Sequence, residues 1–203
     1  MEKLDLRQQL KHLYQPPAKE VTQVDVPALN YLMLDGSGDP NTSQAYRDGV
    51  QVLFNLSYTL KFMVKKGALA IDYSVLPLEG LWWAEDMSTF LTADKSRWQW
   101  TMLMMQPDFI TPAMVAEAIQ AVKRKSDPPL LKAVRLETLS EGLCAQIMHV
   151  GPFSAEGPTI ERLHQYIADA GYQRRGKHHE IYLSDIRKTA PEKWRTVIRQ
   201  PMG

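Results

Sequence analysis

A carboxylate, a phenol and several indoles are the groups in this chain whose types and spacing could do chemistry together. Glu180 and Tyr182 stand two residues apart in "HHEIYLSD", residues 178–185, a run that reads as a strand. Alternate side chains of a strand share a face, so His178, Glu180 and Tyr182 fall on one side and His179, Ile181 and Leu183 on the other. The Ile181–Leu183 face is the natural one to pack on helices, which predicts that Glu180 and Tyr182 face a cleft. In "RWQWTMLMMQP", Trp98, Trp100, Met102 and Met104 alternate with Leu103 and Met105. A sheet solvated on one side does not place tryptophan and methionine on both, so a lined pocket is expected there. Trp82 and Trp83, after "PLEG", are further candidates for its wall.

A carboxylate among aromatics is costly to keep ionised unless it is hydrogen-bonded or meets a cation. Such a group can act as a general base, hold a cationic or electron-poor ligand, or polarise a water. The bland alternative is an edge glutamate that reaches solvent or pairs with Arg187 or Lys177. Other chemistries fit poorly. Adjacent His178 and His179 point to opposite faces and cannot ligate one metal, and His12, His149 and His164 are scattered. No metal or cofactor is expected. "GSG" at residues 36–38 lacks the lysine and flanking spacing of a phosphate loop, and no GxSxG elbow accompanies the serines. Cys144 lies within the apolar run "LCAQIMHV" and reads as a small buried hydrophobe. Glu79 is a candidate second pocket carboxylate, although a turn position before Gly80 is the blander reading.

The elements that must position these groups follow from punctuation. The first 20 residues read as an amphipathic lead-in ending at Pro16-Pro17. Residues 29–34 form a strand, closed by a turn rich in Gly, Asp and Pro. Asn41 or Thr42 is placed to cap a long helix with Tyr46, Val50, Leu53, Leu56, Leu60 and Val64 on one stripe, and Gly67 ends it. "ALAIDYSVL" reads as the second strand and "RWQWTMLMMQP" as the third. Thr111-Pro112 opens a helix that Asp127-Pro128-Pro129 closes. "LCAQIMHVGPF" is a strand and turn, 158–170 a helix ended by Gly171, and "HEIYLSD" and "KWRTVIRQP" two more strands.

The order β-α-β-β therefore occurs twice, and one motif repeats with it. "WTMLMMQP" begins at Trp100 and "WRTVIRQP" at Trp194, each a tryptophan, five residues, then Gln-Pro. The fold expected is α+β, with two pseudo-symmetric β-α-β-β repeats around a central ligand pocket. The boundaries expected are a lead-in over 1–20 and one domain over 21–203. Within it, repeat one takes about 21–110, a linking helix about 112–125, and repeat two about 130–203.

Composition narrows the partners. In 203 residues, 44% are hydrophobic and 23% charged, ordinary for a globular protein. Basic and acidic residues number 24 and 23, which gives no electrostatic reason to expect nucleic acid or membrane. The first 120 residues are net acidic and the remainder net basic, an asymmetry that a solvated surface explains equally well. A lone cysteine suits a reducing compartment, and the absence of a signal core makes the cytoplasm the expected location.

"HHEIYLSD", the "TAPEKW" turn after it and the terminal "VIRQP" resemble the GyrI-like small-molecule-binding domain family. "PLEGLWW" and "WQWTMLMMQP" are similar to the first half of its stand-alone members, so the likeness runs from about residue 20 to the end. It implies a pseudo-twofold fold around a pocket that holds a glutamate, here Glu180. It also implies several jobs: effector-binding modules of multidrug regulators, a protein that inhibits gyrase, and hydrolases of cyclopropane-bearing DNA alkylators. With about 20 residues ahead of the first strand, there is little room for a separate DNA-binding domain. The function expected is binding of a hydrophobic aromatic or cationic small molecule. In its enzymatic form Glu180 directs water onto a cyclopropane ring, Tyr182 assists, and Trp82, Trp83, Trp100 and Met104 line the ligand. A non-catalytic drug binder, or a protein-binding modulator of the gyrase type, is the alternative.

Overall fold

The computed structural model describes residues 2–84 and 95–203. Its centre is an eight-stranded sheet in the order β2-β8-β10-β9-β5-β6-β3-β7, antiparallel at every pairing. The strands are β2 (Thr22–Val26), β3 (Leu29–Ser37), β5 (Leu78–Trp83), β6 (Gln99–Gln106), β7 (Arg135–Leu139), β8 (Gly142–Val150), β9 (His178–Tyr182) and β10 (Arg195–Pro201). Two short strands, β1 (Glu2–Leu4) and β4 (Ile71–Tyr73), pair in parallel apart from it.

Helix α3 (Gln44–Lys66) starts just beyond Asn41 and Thr42, the expected caps, where the Ser43 hydroxyl accepts from the Tyr46 amide, and it stops at Gly67 as the glycine predicts. Its buried face is Gly49, Val52, Leu53, Leu56, Ser57, Leu60 and Val64, so the expected Val50 gives way to its neighbours. Helix α4 (Pro112–Ser126) is capped by Thr111 and packs beside α3. Helix α5 (Gly157–Asp169) buries Ile160, Leu163 and Ile167.

The connectivity β3-α3-β5-β6 recurs as β8-α5-β9-β10, and the two units meet where β5 pairs with β9. The second strand of the first unit is "LEGLWW", not "ALAIDYSVL" as the sequence predicts. Within that stretch only Ile71–Tyr73 is extended, and it pairs with the chain's own beginning. β2 and β7 edge the sheet, each on the strand of the other unit: β2 pairs with β8 and β7 with β3. Neither is legible in the sequence, because Thr22–Val26 and Arg135–Leu139 alternate polar with apolar residues too weakly to stand out. Among the described residues no helix is long and apolar enough to cross a membrane.

Both faces of the sheet are covered, by different material. On one face α3 packs on β3 and β6, and α5 on β8 and β10. On the other, Tyr31, Met33, Leu103, Met105, Met148, Ile181 and Val197 pack against Leu13 and Tyr14. Those two belong to α2 (Lys11–Tyr14), which follows α1 (Leu6–Gln9). The segment that the sequence reads as a lead-in over residues 1–20 thus packs on this face through Leu13 and Tyr14, with Leu6 and Leu10 beside them. Cys144 is buried on the same face, where burial pushes its thiol up to about 12.

Candidate functional site

Glu180 sits in the middle of β9, directly opposite Gly80 of β5 and Ile198 of β10. Ile198 packs with α5 and Met102, opposite Gly80, packs with α3. Glu180 therefore lies on the face that carries the long helices, over the central pair of strands. That reverses one expectation: Ile181 and Leu183 turn toward the N-terminal segment, not toward α3 and α5. The inversion has a simple cause. Each long helix rests on the outer strands of its own unit, so the strip between the helices falls over β5 and β9.

The carboxylate is held from two sides. Tyr182 donates its hydroxyl to Glu180 Oε2 at 2.7 Å, and the Trp82 indole Nε1–H donates to that hydroxyl oxygen at 2.9 Å. His178 Nε2 lies 3.1 Å from Oε1, and a carboxylate can only accept, so the imidazole nitrogen donates. Burial raises the Glu180 pKa, but His178, Tyr182 and the charge of Lys95 outweigh it and hold the group below the ordinary glutamate value. The same burial, with Glu180 beside it, raises Tyr182 well above the usual phenol range, so the phenol keeps its proton and donates. Neither Arg187 nor Lys177 is the partner: Arg187 pairs with Asp185 and Lys177 lies over the Trp83 ring.

Glycine makes this arrangement possible. A Cβ on Gly80 would stand 2.6 Å from Trp82 Nε1, 2.7 Å from Met102 Cε and 3.0 Å from the Tyr182 hydroxyl. The missing side chain is the space in which the Trp82–Tyr182–Glu180 relay closes. Gly36 does the same for Trp100, whose ring lies 2.1 Å from where that Cβ would be. Aromatic rings extend the surface. Tyr46 of α3 stacks toward Trp82 at 6.0 Å and meets Trp100 edge-on at 5.3 Å, and Trp98 meets Trp82 at 5.6 Å. On the α5 side, Phe153 meets Tyr182 at 5.6 Å and Trp194 at 5.0 Å.

A second carboxyl completes the group. Glu156, the residue ahead of α5, is buried with its carboxyl beside that of Glu180. Burial and the Glu180 charge push its pKa up to about 10.

Of the residues singled out in the sequence, Glu180, Tyr182 and Trp82 are brought into one bonded chain, and Trp100 stands behind Trp82 as its register partner. Trp83 is on the opposite face of the sheet, because the residue after Trp82 must point the other way. Met104 packs beneath α3, where the Ser57 hydroxyl meets its sulfur at 3.6 Å; Met102 is the methionine at the Gly80 floor. Nothing local in the sequence marks Glu156, Tyr46, His178 or Phe153 as site residues. Tyr46 reads only as part of a helix stripe. Glu156 sits in a loop with no periodicity, and only the tertiary fold brings it to β9.

The opposite face of β9 carries an ionic cluster of its own. His179 Nε2 lies 2.9 Å from Glu79 Oε2 and its Nδ1 lies 3.0 Å from Glu141 Oε1. Arg199 lies 3.3 Å from Glu141 and donates to the Leu13 carbonyl at 2.7 Å, while Tyr14 donates to Glu79 at 2.9 Å. Burial works against a charge on His179, but the two carboxylates outweigh it and raise its pKa to about 9. Burial likewise opposes charge on Glu141, and His179 with Arg199 holds it down to about 2. Glu79 is thus a buried strand residue, not the turn residue that the sequence suggests.

The family model of the GyrI-like small-molecule-binding domain matches residues 19–202. An uncharacterized conserved protein from Listeria innocua is 39% identical over 98% of this chain and 100% of its own, with a TM-score of 0.90. A hydrolase from Listeria innocua is 38% identical over all of both chains, with a TM-score of 0.89. A more distant structure, of a protein bound to tetraphenylphosphonium, shares the fold at 15% identity, covering 91% of this chain and 94% of that one with a TM-score of 0.50. A search of curated proteins returned no significant match. With the match running from the N-terminal segment to the last strand, the chain belongs to the GyrI-like small-molecule-binding domain family.

Proposed function

We infer that the strip between α3 and α5 is the ligand site, and that the protein takes up a flat, hydrophobic, electrophilic or cationic small molecule against Glu180. The observation that carries this reading is a buried, ionised carboxylate at the end of an indole–phenol relay, over a floor that lacks a side chain. Such a group offers a negative charge in a low-dielectric, aromatic setting, where it acts most strongly on a cation or a polarised bond.

The enzymatic form of the reading is hydrolytic opening of a cyclopropane ring. Glu180 takes a proton from a water, and the water oxygen attacks a ring carbon. The strained C–C bond breaks, its electrons move into the ligand's electron-withdrawing group, and that group takes up a proton. Tyr182 keeps Glu180 oriented, and Trp82, Trp100 and Tyr46 wall the aromatic body of the ligand. High identity to a protein described as a hydrolase supports this form. A second reading, binding without turnover, is favoured by the fact that both Glu180 oxygens already accept hydrogen bonds. A carboxylate so engaged is a weakened base and an undiminished counter-ion.

A multiple-turnover assay on a cyclopropane-bearing alkylator separates the two. Many equivalents turned over by the wild type, with a loss of about 10²-fold or more in Glu180→Gln, establishes hydrolysis. Saturable binding with no rate above the uncatalysed reaction, in both proteins, means a binding module.

A further inference from the structure

Glu156 and Glu180 raise a question that one carboxylate alone would not. Glu156 lies between the Phe153–Ala155 turn and α5, with only 5% of its surface exposed, and its carboxyl meets that of Glu180. Two carboxylates in such contact cannot both be ionised without a cation between them. Glu180 is the better supplied of the two, with His178 on Oε1 and Tyr182 on Oε2. Glu156 Oε1, by contrast, is buried with no hydrogen-bond partner among the described residues. An unmade bond of that kind is tolerable for the oxygen of a neutral acid and far costlier for a carboxylate.

We propose that the Glu156–Glu180 pair holds one exchangeable proton, carried by Glu156, and that an aromatic monocation bound against the pair displaces this proton to solvent. The proposal rests on the reading of this strip as the ligand site. In the empty protein the Glu156 O–H shields two oxygens from each other. When a permanent positive charge takes that place, the O–H bond breaks, the proton passes to buffer, and the pair stays balanced by the ligand instead. A neutral aromatic ligand supplies no such replacement and leaves the proton where it is. The pair therefore sorts ligands by charge and makes cation affinity rise with pH.

The groups facing Glu156 come from several elements. They are Glu180, Tyr182 and, through Glu180, His178 on β9, Lys95 ahead of β6, and Thr196 on β10. Tyr46 of α3 faces Glu180, and burial with that charge raises its phenol above the ordinary range, so it does not exchange the proton near neutral pH. His149 of β8 is tied to Thr159 and to the Pro152 carbonyl beside the same turn.

Tetraphenylphosphonium is a suitable probe because its charge does not titrate, so any pH dependence belongs to the protein. Loss of one whole proton lowers its dissociation constant about tenfold per pH unit between about pH 6.5 and 8, below the range in which His179 titrates. The slope is expected in the wild type and absent in Glu156→Gln, which has no proton to release. Binding with no slope in the wild type overturns the exchange while leaving the ligand site intact. If the probe does not bind at all, the site reading and the exchange with cations both fall. The infrared spectrum tests the proton without any ligand. A protonated-carboxylic-acid band is expected at neutral pH in the wild type and not in Glu156→Gln, and a wild type without it overturns the shared proton.

Discussion

At the scale of single residues, β9 divides two electrostatic systems by strand alternation alone. His178, Glu180 and Tyr182 serve the helix side, while His179 serves the cluster of Glu79, Glu141 and Arg199 on the other. The two should respond to pH independently. Glu156 keeps its proton in the folded chain and loses it in the unfolded chain above the ordinary glutamate value near 4.5. A folded pKa raised in this way contributes stability at low pH that is lost as pH rises, so at neutral pH Glu156 is a cost. Glu156→Gln removes that cost, and its stability advantage should grow by about 1.4 kcal/mol per pH unit from about pH 5 to 8. Urea unfolding of both proteins across that range measures it, and a gap that does not widen would mean Glu156 is ionised in the native state. Tyr14→Phe tests the other system: it leaves Glu79 Oε1 short of its donor at a cost of about 2 kcal/mol, read from the shift in urea midpoint.

At the scale of elements, the site depends on three central rows of side chains, and Gly80 is the point where they meet. Gly80→Ala drives a methyl into the Trp82–Tyr182 contact. The expected cost is about 1–3 kcal/mol of stability, with ligand affinity lowered more than tenfold because the relay no longer closes on Glu180. Quenching of tryptophan fluorescence by a bound ligand would show it; unchanged affinity would move the ligand away from the Gly80 floor. How far each element was legible depended on its source of order. α3, α4, β6, β8 and β10 have strong periodicity or clear caps, and the sequence places them within a few residues. β5 was hidden because "LEGLWW" is too short and too interrupted by glycine to read as a strand. β2, β7 and the N-terminal turns owe their structure to what they pair with or cover.

At the scale of the whole molecule, the N-terminal segment is fastened to the sheet by charge as well as by apolar contact. Arg199 reaches the Leu13 carbonyl, Gln146 reaches that of His12, and Tyr14 reaches Glu79. The buried cluster sets the limits of global stability. The raised pKa of His179 contributes about 3 kcal/mol that is fully present below about pH 6.5 and lost as pH climbs through about 9. The lowered pKa of Glu141 contributes stability present above about 4.5 and lost as pH falls through about 2. Replacing His179 with Gln should flatten the alkaline limb, as followed by thermal unfolding from neutral to alkaline pH. A limb that persists unchanged would assign the loss to another group.

The sequence by itself determined the fold class, the repeated β-α-β-β order in outline and the shared face of Glu180 and Tyr182. All three follow from local periodicity, caps and the twofold alternation of a strand. Trp82 could be named a candidate on the same grounds, although alternation also required that Trp83 face away from it. The tertiary structure alone decided that the Glu180 face carries the long helices and that Glu156 arrives from the start of α5. It also turned the first residues of the chain into the cover of the other face. Each of these is a contact across a long sequence separation, where pairing partners and burial, rather than any local pattern, fix which side of the sheet a residue meets.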